Sequence, residues 1–227
     1  MNSVSSMNSA SSTQPASRRQ KASVVRQYGP FPVERVHGVT HDGSRVWFAH
    51  GKQIAAVNLE TGAIEKEIAV PADAGTAFDG EHFYQIGEDK IRKLDPKTGH
   101  VVATLATPGM TQDNSGLAWA DGTLWVGQYK GRAIHQIDAT TGKLLKTVRS
   151  DRFVTGVSFV DGELWHGTWE DNAAELRRVD PATGRVLETL EMPDGDGVSG
   201  LEAKGDLLFC GGIKAPVVRA VKRPARK

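Results

Sequence analysis

The stretch Gly116-Leu117-Ala118-Trp119-Ala120-Asp121-Gly122 decides the fold, because it returns along the chain. Its other copies are Gly38-Val39-Thr40-His41-Asp42-Gly43, Gly75-Thr76-Ala77-Phe78-Asp79-Gly80, Gly156-Val157-Ser158-Phe159-Val160-Asp161-Gly162 and Gly200-Leu201-Glu202-Ala203-Lys204-Gly205. The leading glycines stand 37, 41, 40 and 44 residues apart. Asp-Gly between two alternating apolar runs is a hairpin signal, since the tight turns joining paired strands need positive φ. Each copy is followed by a strand carrying an aromatic residue: Trp47, Tyr84, Trp125, Trp165 and Phe209. Next comes a turn: Asn58-Leu59-Glu60-Thr61-Gly62, Asp95-Pro96-Lys97-Thr98-Gly99, Asp138-Ala139-Thr140-Thr141-Gly142 and Asp180-Pro181-Ala182-Thr183-Gly184. There an Asx side chain binds its own backbone and the closing glycine takes the left-handed conformation. An alternating strand follows each turn, so one repeat holds four strands.

A four-stranded repeat of about 40 residues is a propeller blade. The sequence therefore predicts an all-β, five-bladed β-propeller with four antiparallel strands per blade. The fifth repeat stops one strand short. An orphan strand, Ser23-Val24-Val25-Arg26-Gln27-Tyr28-Gly29-Pro30, precedes the first. It is expected to supply the outer strand of the last blade and close the ring, hiding strand edges that invite aggregation. The propeller is placed at 23–221. Residues 1–22 are rich in Ser, Asn and Gln, lack the apolar core of a secretory signal, and are expected to form a disordered tail. Residues 222–227 are expected to be a short basic tail.

Composition narrows the function classes. Glycine, at 25 of 227 residues, is in excess, and the repeat assigns most of it to turns and strand starts rather than to a phosphate-cradling loop. Lys+Arg 28 against Asp+Glu 27 supplies no broad positive field, so neither nucleic acid nor an anionic membrane is an expected partner. A single cysteine, Cys210, precludes an internal disulfide framework. The expectation is a cytoplasmic monomer without a cofactor. The aromatic column is expected to pack between blades.

Chain direction puts the hairpin tips and the Asx turns on one face. On the other lie the irregular loops that enter each first strand and leave each second strand. That face holds Arg35, His37, Asp73, Asp113, Asn114, Ser115, Thr155 and Ser199 in the first set, and His50, Glu88, Tyr129, Lys130, Trp169 and Lys214 in the second. Variation confined to one face of a regular scaffold marks a site. Tyr129 and Trp169, outside the packing column, suggest a platform for an aromatic or carbohydrate ligand. His37, His50 and His166 with nearby carboxylates allow a metal site but show no diagnostic spacing.

The five-blade count, the Asp-Pro-x-Thr-Gly turns and the phrases Gly-Leu-Ala-Trp and Gly-Glu-Leu-Trp resemble the glutamine cyclotransferase family of plants and bacteria. The likeness covers most of 23–221. It implies a five-bladed propeller, a transferase that cyclises an N-terminal glutamine to pyroglutamate and releases ammonia, and an axial site of aromatics, amides and a catalytic Glu. By resemblance, Gly162-Glu163-Leu164-Trp165-His166-Gly167-Thr168-Trp169 places Trp169 at a substrate-stacking tryptophan, and Phe209-Cys210-Gly211-Gly212-Ile213-Lys214 places Lys214 at a site lysine. The family's catalytic Glu position is Ala74 here, and its amide positions are His37 and Thr155. The site expectation is thus Glu202 and Asp73 as substitute catalytic carboxylates, with His37, Asn114, Tyr129, Thr155, Trp169 and Lys214 around a small-molecule or peptide substrate. The alternatives are a non-catalytic peptide- or ligand-binding propeller and a metal-dependent lactonase or lyase.

Overall fold

A computed structural model describes residues 17–193 and 195–225. Two strands precede the repeat, β1 (Arg18–Lys21) and β2 (Val24–Tyr28). Blade 1 is β3 (Val39–His41), β4 (Val46–Ala49), β5 (Gly51–Val57) and β6 (Ile64–Ala72). Blade 2 is β7 (Thr76–Phe78), β8 (Phe83–Gly87), β9 (Lys90–Leu94) and β10 (Val101–Ala106). Blade 3 is β11 (Asn114–Ala120), β12 (Thr123–Gln128), β13 (Ala133–Asp138) and β14 (Leu144–Arg149). Blade 4 is β15 (Val154–Val160), β16 (Glu163–Glu170), β17 (Ala173–Val179) and β18 (Val186–Glu191). Blade 5 holds β19 (Val198–Lys204), β20 (Leu207–Gly212) and β21 (Val218–Lys222), and its fourth strand is β2. The expected closure is present: Arg26, Gln27 and Tyr28 pair antiparallel with Ala220, Arg219 and Val218.

The turns follow their chemistry. Asn58, Asp95, Asp138 and Asp180 each accept, on Oδ1, the amides two and three residues on. The glycine closing each of these turns has φ between 72° and 77°. The Asp-Gly hairpins divide into two kinds. Asp121-Gly122 and Asp161-Gly162 have both residues at positive φ, the two-residue turn the sequence predicts. In blades 1 and 2 only the glycine does, and Asp42 and Asp79 instead cap the following amides with Oδ1.

Apolar burial is distributed between blades rather than gathered in one core. Five clusters form, each joining consecutive blades: Trp47 packs with Phe83, Tyr84 with Leu117 and Leu124, Trp125 with Leu164, Trp165 with Leu201 and Leu208, and Phe209 with Val46 and Phe48. The aromatic column is thus the inter-blade wedge. Where blades converge on the axis there is no room for side chains. A Cβ on Gly38 would lie under 3.0 Å from the backbone of Thr76, one on Gly75 from Leu117, one on Gly116 from Val157, one on Gly156 from Leu201, and one on Gly200 from Val39. The five leading glycines therefore form a closed ring of backbone contacts, each touching the next blade.

Two expectations at the termini are corrected. Residues 18–21, placed in the tail, form β1, which adds to blade 4 as a fifth strand parallel to β18. Residues 1–16 lie outside the described residues, as do Arg226 and Lys227. Of the basic tail, Lys222 ends β21, and Arg223 donates from Nη2 to Asp161 Oδ2 at 2.6 Å.

Gly116→Ala is expected to cost about 1–3 kcal/mol or more, because only backbone could give way; urea unfolding measures it. Deletion of residues 1–30 removes β2 and is expected to abolish the single cooperative melting transition. An unchanged transition would refute closure by β2.

Candidate functional site

The residue just before each ring glycine faces the irregular loops: His37, Ala74, Ser115, Thr155 and Ser199. All five line one cavity of about 450 Å³ on the axial face. Its walls come from the loops around each blade's first strand and after its second. On the blade 1–2 side are Arg35, His37 and Asp73; on the blade 3–4 side are Asn114, Tyr129, Lys130, Thr155 and Trp169. Lys214 is not a wall residue, but its Nζ stands 5.4 Å from the centre of the Trp169 ring, a cation–π distance. Tyr129 stacks on Phe153 at 4.6 Å, and the Arg132 guanidinium covers the other ring of that pair at 4.5 Å.

The two cavity carboxylates differ in how far they are used. Asp113 is committed to its own loop, accepting Lys130 N on Oδ1 at 2.7 Å and Gly131 N on Oδ2 at 2.8 Å. Asp73 is exposed and accepts the Glu88 amide at 3.2 Å, leaving lone pairs for a ligand. Asp73 also borders an acidic recess with Glu88 and Asp89. Burial, reinforced by Arg35, holds the His37 imidazole below its usual pKa despite Asp73, so it is neutral at pH 7. Three buried polar atoms near the floor, Asn114 Oδ1, Ser115 Oγ and Thr155 Oγ1, have no protein partner. Ser115 Oγ and Thr155 Oγ1 lie against the second-strand glycines Gly127 and Gly167 of their own blades.

Glu202 is placed elsewhere. It lies two residues past Gly200, roughly 7 Å further along the strand, and it is not part of the cavity lining. Thr40 Oγ1 of blade 1 donates to its Oε2 at 2.9 Å, and Ser158 Oγ of blade 4 to its Oε1 at 3.1 Å. The carboxyl therefore bridges three blades below the glycine ring. It does not share a site with Asp73. Burial pushes its pKa up to about 7, with Thr40 the largest opposing influence.

The three histidines considered as metal ligands do not form one centre. His37 is in the cavity, and His50 faces Glu67 at 3.7 Å. His166 is wholly buried within blade 4, where burial lowers its pKa to about 4. Among the described residues no group of three metal-ligating side chains occurs. Burial pushes the Cys210 thiol up to about 12, far from a reactive thiolate. Sequence reasoning missed three wall residues, Val36, Gln112 and Ile213. Each precedes a residue it had named, and Gln112 carried a further signal only in its backbone, with φ of 54°.

No family model matches the chain, and a sequence search of curated proteins finds no match. Solved structures do match. The crystal structure of Myxococcus xanthus glutaminyl cyclase superposes with a TM-score of 0.76 over 91% of this chain and 98% of that one, at 16% identity. The fold matches that of a bacterial glutaminyl cyclase. Kuenenia stuttgartiensis hydrazine synthase aligns with a TM-score of 0.51 over 80% of this chain and 56% of that one, at 18% identity. At such identities the likeness is one of fold.

The Glu202 carboxyl yields a pH prediction. Its folded pKa is raised, so the folded state holds the proton more tightly, and that stabilisation is lost as pH rises from about 4.5 through 7. Glu202→Gln is expected to gain stability relative to wild type between pH 5 and pH 8, by at most about 3 kcal/mol. Thermal melts across that range measure it; parallel pH profiles would refute the assignment.

Proposed function

We propose that the axial cavity receives the N-terminal residue of a peptide, or a small amine of similar size, and acts on it as a glutaminyl-cyclase-like transferase. The observation that carries this reading is the division of the cavity. One side offers a carboxylate with lone pairs to spare, Asp73, beside the His37 imidazole and the Arg35 guanidinium. The other offers the Trp169 face with Lys214 behind it. A terminal amine suits the first side, and the planar amide of a glutamine side chain suits the second.

Cyclisation needs the amine nitrogen to bond to the side-chain amide carbon while the bond to the amide nitrogen breaks and ammonia leaves. The attacking amine must lose a proton and the departing nitrogen must gain one. A carboxylate or neutral imidazole within hydrogen-bond reach serves the first step and, once protonated, the second. Asp73 and His37 are the groups on the cavity wall with that capacity.

A second reading, binding without turnover, is favoured by one residue: Ala74 sets a methyl group where the resemblance implies a catalytic carboxylate. The metal-dependent alternative is not favoured, since the donor set does not converge.

Incubation with Gln-initiated peptides, following ammonia, tests the first reading. Turnover is expected, with kcat falling about 10²–10⁴-fold in Asp73→Asn and KM rising in Trp169→Ala. Saturable quenching of tryptophan fluorescence without ammonia release would select binding alone. Neither signal would sink both.

A further inference from the structure

Blade 4 is unlike the others in carrying a fifth strand, and the surface under that strand is acidic. β1 lies parallel to β18 with Arg18 opposite Glu188 and Lys21 opposite Glu191. The Ala22 amide extends the pairing by donating to Glu191 O at 2.7 Å. Side chains on the two faces of β1 find different acids. Arg19 reaches both Glu191 and Glu175, and Lys21 Nζ lies 2.7 Å from Glu191 Oε2. On the other face Gln20 Nε2 donates to Glu188 Oε1 at 3.3 Å, with Arg18 Nη1 at 3.9 Å from the same oxygen.

The acids are held in place by the propeller itself. Glu175 keeps Oε2 on Arg177 at 2.6 Å and turns Oε1 to the arm. Glu188 keeps Oε2 on Arg178 at 3.3 Å and turns Oε1 to the arm. Their side chains are 4% and 2% exposed, whereas the arm's Arg19 and Lys21 are 57% and 82% exposed. The acceptors are thus oriented by the propeller's own arginines and covered in part by the arm, whose basic side chains stay largely in solvent. A cleft of about 210 Å³ continues beside it, between Arg19, Lys21, Glu175, Glu191 and Met192.

We propose that the outer edge of blade 4 is a docking groove for an extended basic peptide segment, and that Arg18–Lys21 is its resident, replaceable occupant. Recognition combines strand addition to a sheet edge, for affinity, with charge-assisted contacts from alternate basic residues, for specificity. The fitting sequence is basic-basic-amide-basic in parallel register. The tethered arm competes at a high effective concentration, so an outside segment gains the groove only where the arm is weakened or released.

The test uses the 227-residue chain with R18A, R19A and K21A together, and a labelled peptide of the sequence Ser17–Ser23 followed by fluorescence anisotropy. The ring is closed by β2, not β1, so the variant is expected to keep one cooperative melting transition, and its melt is recorded alongside. Binding is expected to be at least about tenfold tighter to the variant than to wild type, weaker at high salt, and lost when Glu188→Gln and Glu191→Gln are added. Equal binding to variant and wild type, no binding to the folded variant, or binding indifferent to the two Glu substitutions would overturn the proposal. So would an arm-dependent dimer of the wild-type chain, which would make a second copy the occupant.

Discussion

The structure depends on backbone meeting backbone at the axis. Five inner strands converge so closely that Gly38, Gly75, Gly116, Gly156 and Gly200 touch in a ring that admits no Cβ. That contact fixes how near the blades approach, and the remaining geometry follows. Blades diverge outward from the ring, and the widening gap must be filled at native packing density. Large aromatics on the second strand fill it, one for each gap. The same glycines order the axis in depth. A residue one position before the ring belongs to the loop-side cavity, and a residue two positions past it packs below the ring. His37 and Thr40 illustrate this in blade 1, Thr155 and Ser158 in blade 4, and Ser199 and Glu202 in blade 5.

The β1 arm and the site loops are linked by charge. Arg19 reaches Glu175, Glu175 holds Arg177, and Arg177 reaches Asp151 in the loop before β15. From the same loop Arg152 donates to the carbonyls of Glu170 and Ala173, and Arg132 donates to the Glu170 carboxylate. The loop that follows Trp169 is therefore fixed by guanidinium groups from two neighbouring loops rather than by apolar packing. Ion pairs of this kind are modest in energy when exposed. Guanidinium groups are nonetheless well suited to binding carbonyls and carboxylates in a defined geometry, which is what a stacking surface requires.

Much of the architecture was legible because it repeats. Turn chemistry at Asn58, Asp95, Asp138 and Asp180 is local, and local rules are readable from one chain. The missing fourth strand of blade 5 was legible by subtraction. The ligand-facing loops were legible because chain direction alone assigns them to a face. What stayed hidden depended on partners far away in sequence. Arg18-Arg19-Gln20-Lys21 has no apolar alternation, so nothing in it reads as a strand. Its pairing arises from Glu175, Glu188 and Glu191, more than 150 residues on. Glu202 read as a free inner-strand carboxylate because its partners, Thr40 and Ser158, lie on other blades. No spacing rule separates His37, in the cavity, from His166, enclosed within a blade.

The polar groups at the axis divide into those the fold has spent and those it has not. Asp113, Asp89 and Glu88 look equivalent to Asp73 by charge alone. Yet Asp113 is bound to two backbone amides, Asp89 accepts Gln112 N and Asn114 Nδ2, and Glu88 is paired with Arg92. Those carboxylates shape loops. The aromatics sort the same way: Tyr129 is stacked against Phe153, while Trp169 is approached by Lys214. Removing the committed groups leaves a small set: Asp73, His37 and Trp169, with the wall cations Arg35 and Lys130. That set pairs a carboxylate with a guanidinium and an imidazole on one side, and sets an indole face beside lysines on the other. It explains how a propeller with alanine at position 74 can keep a carboxylate at its axis, supplied by the residue immediately before it.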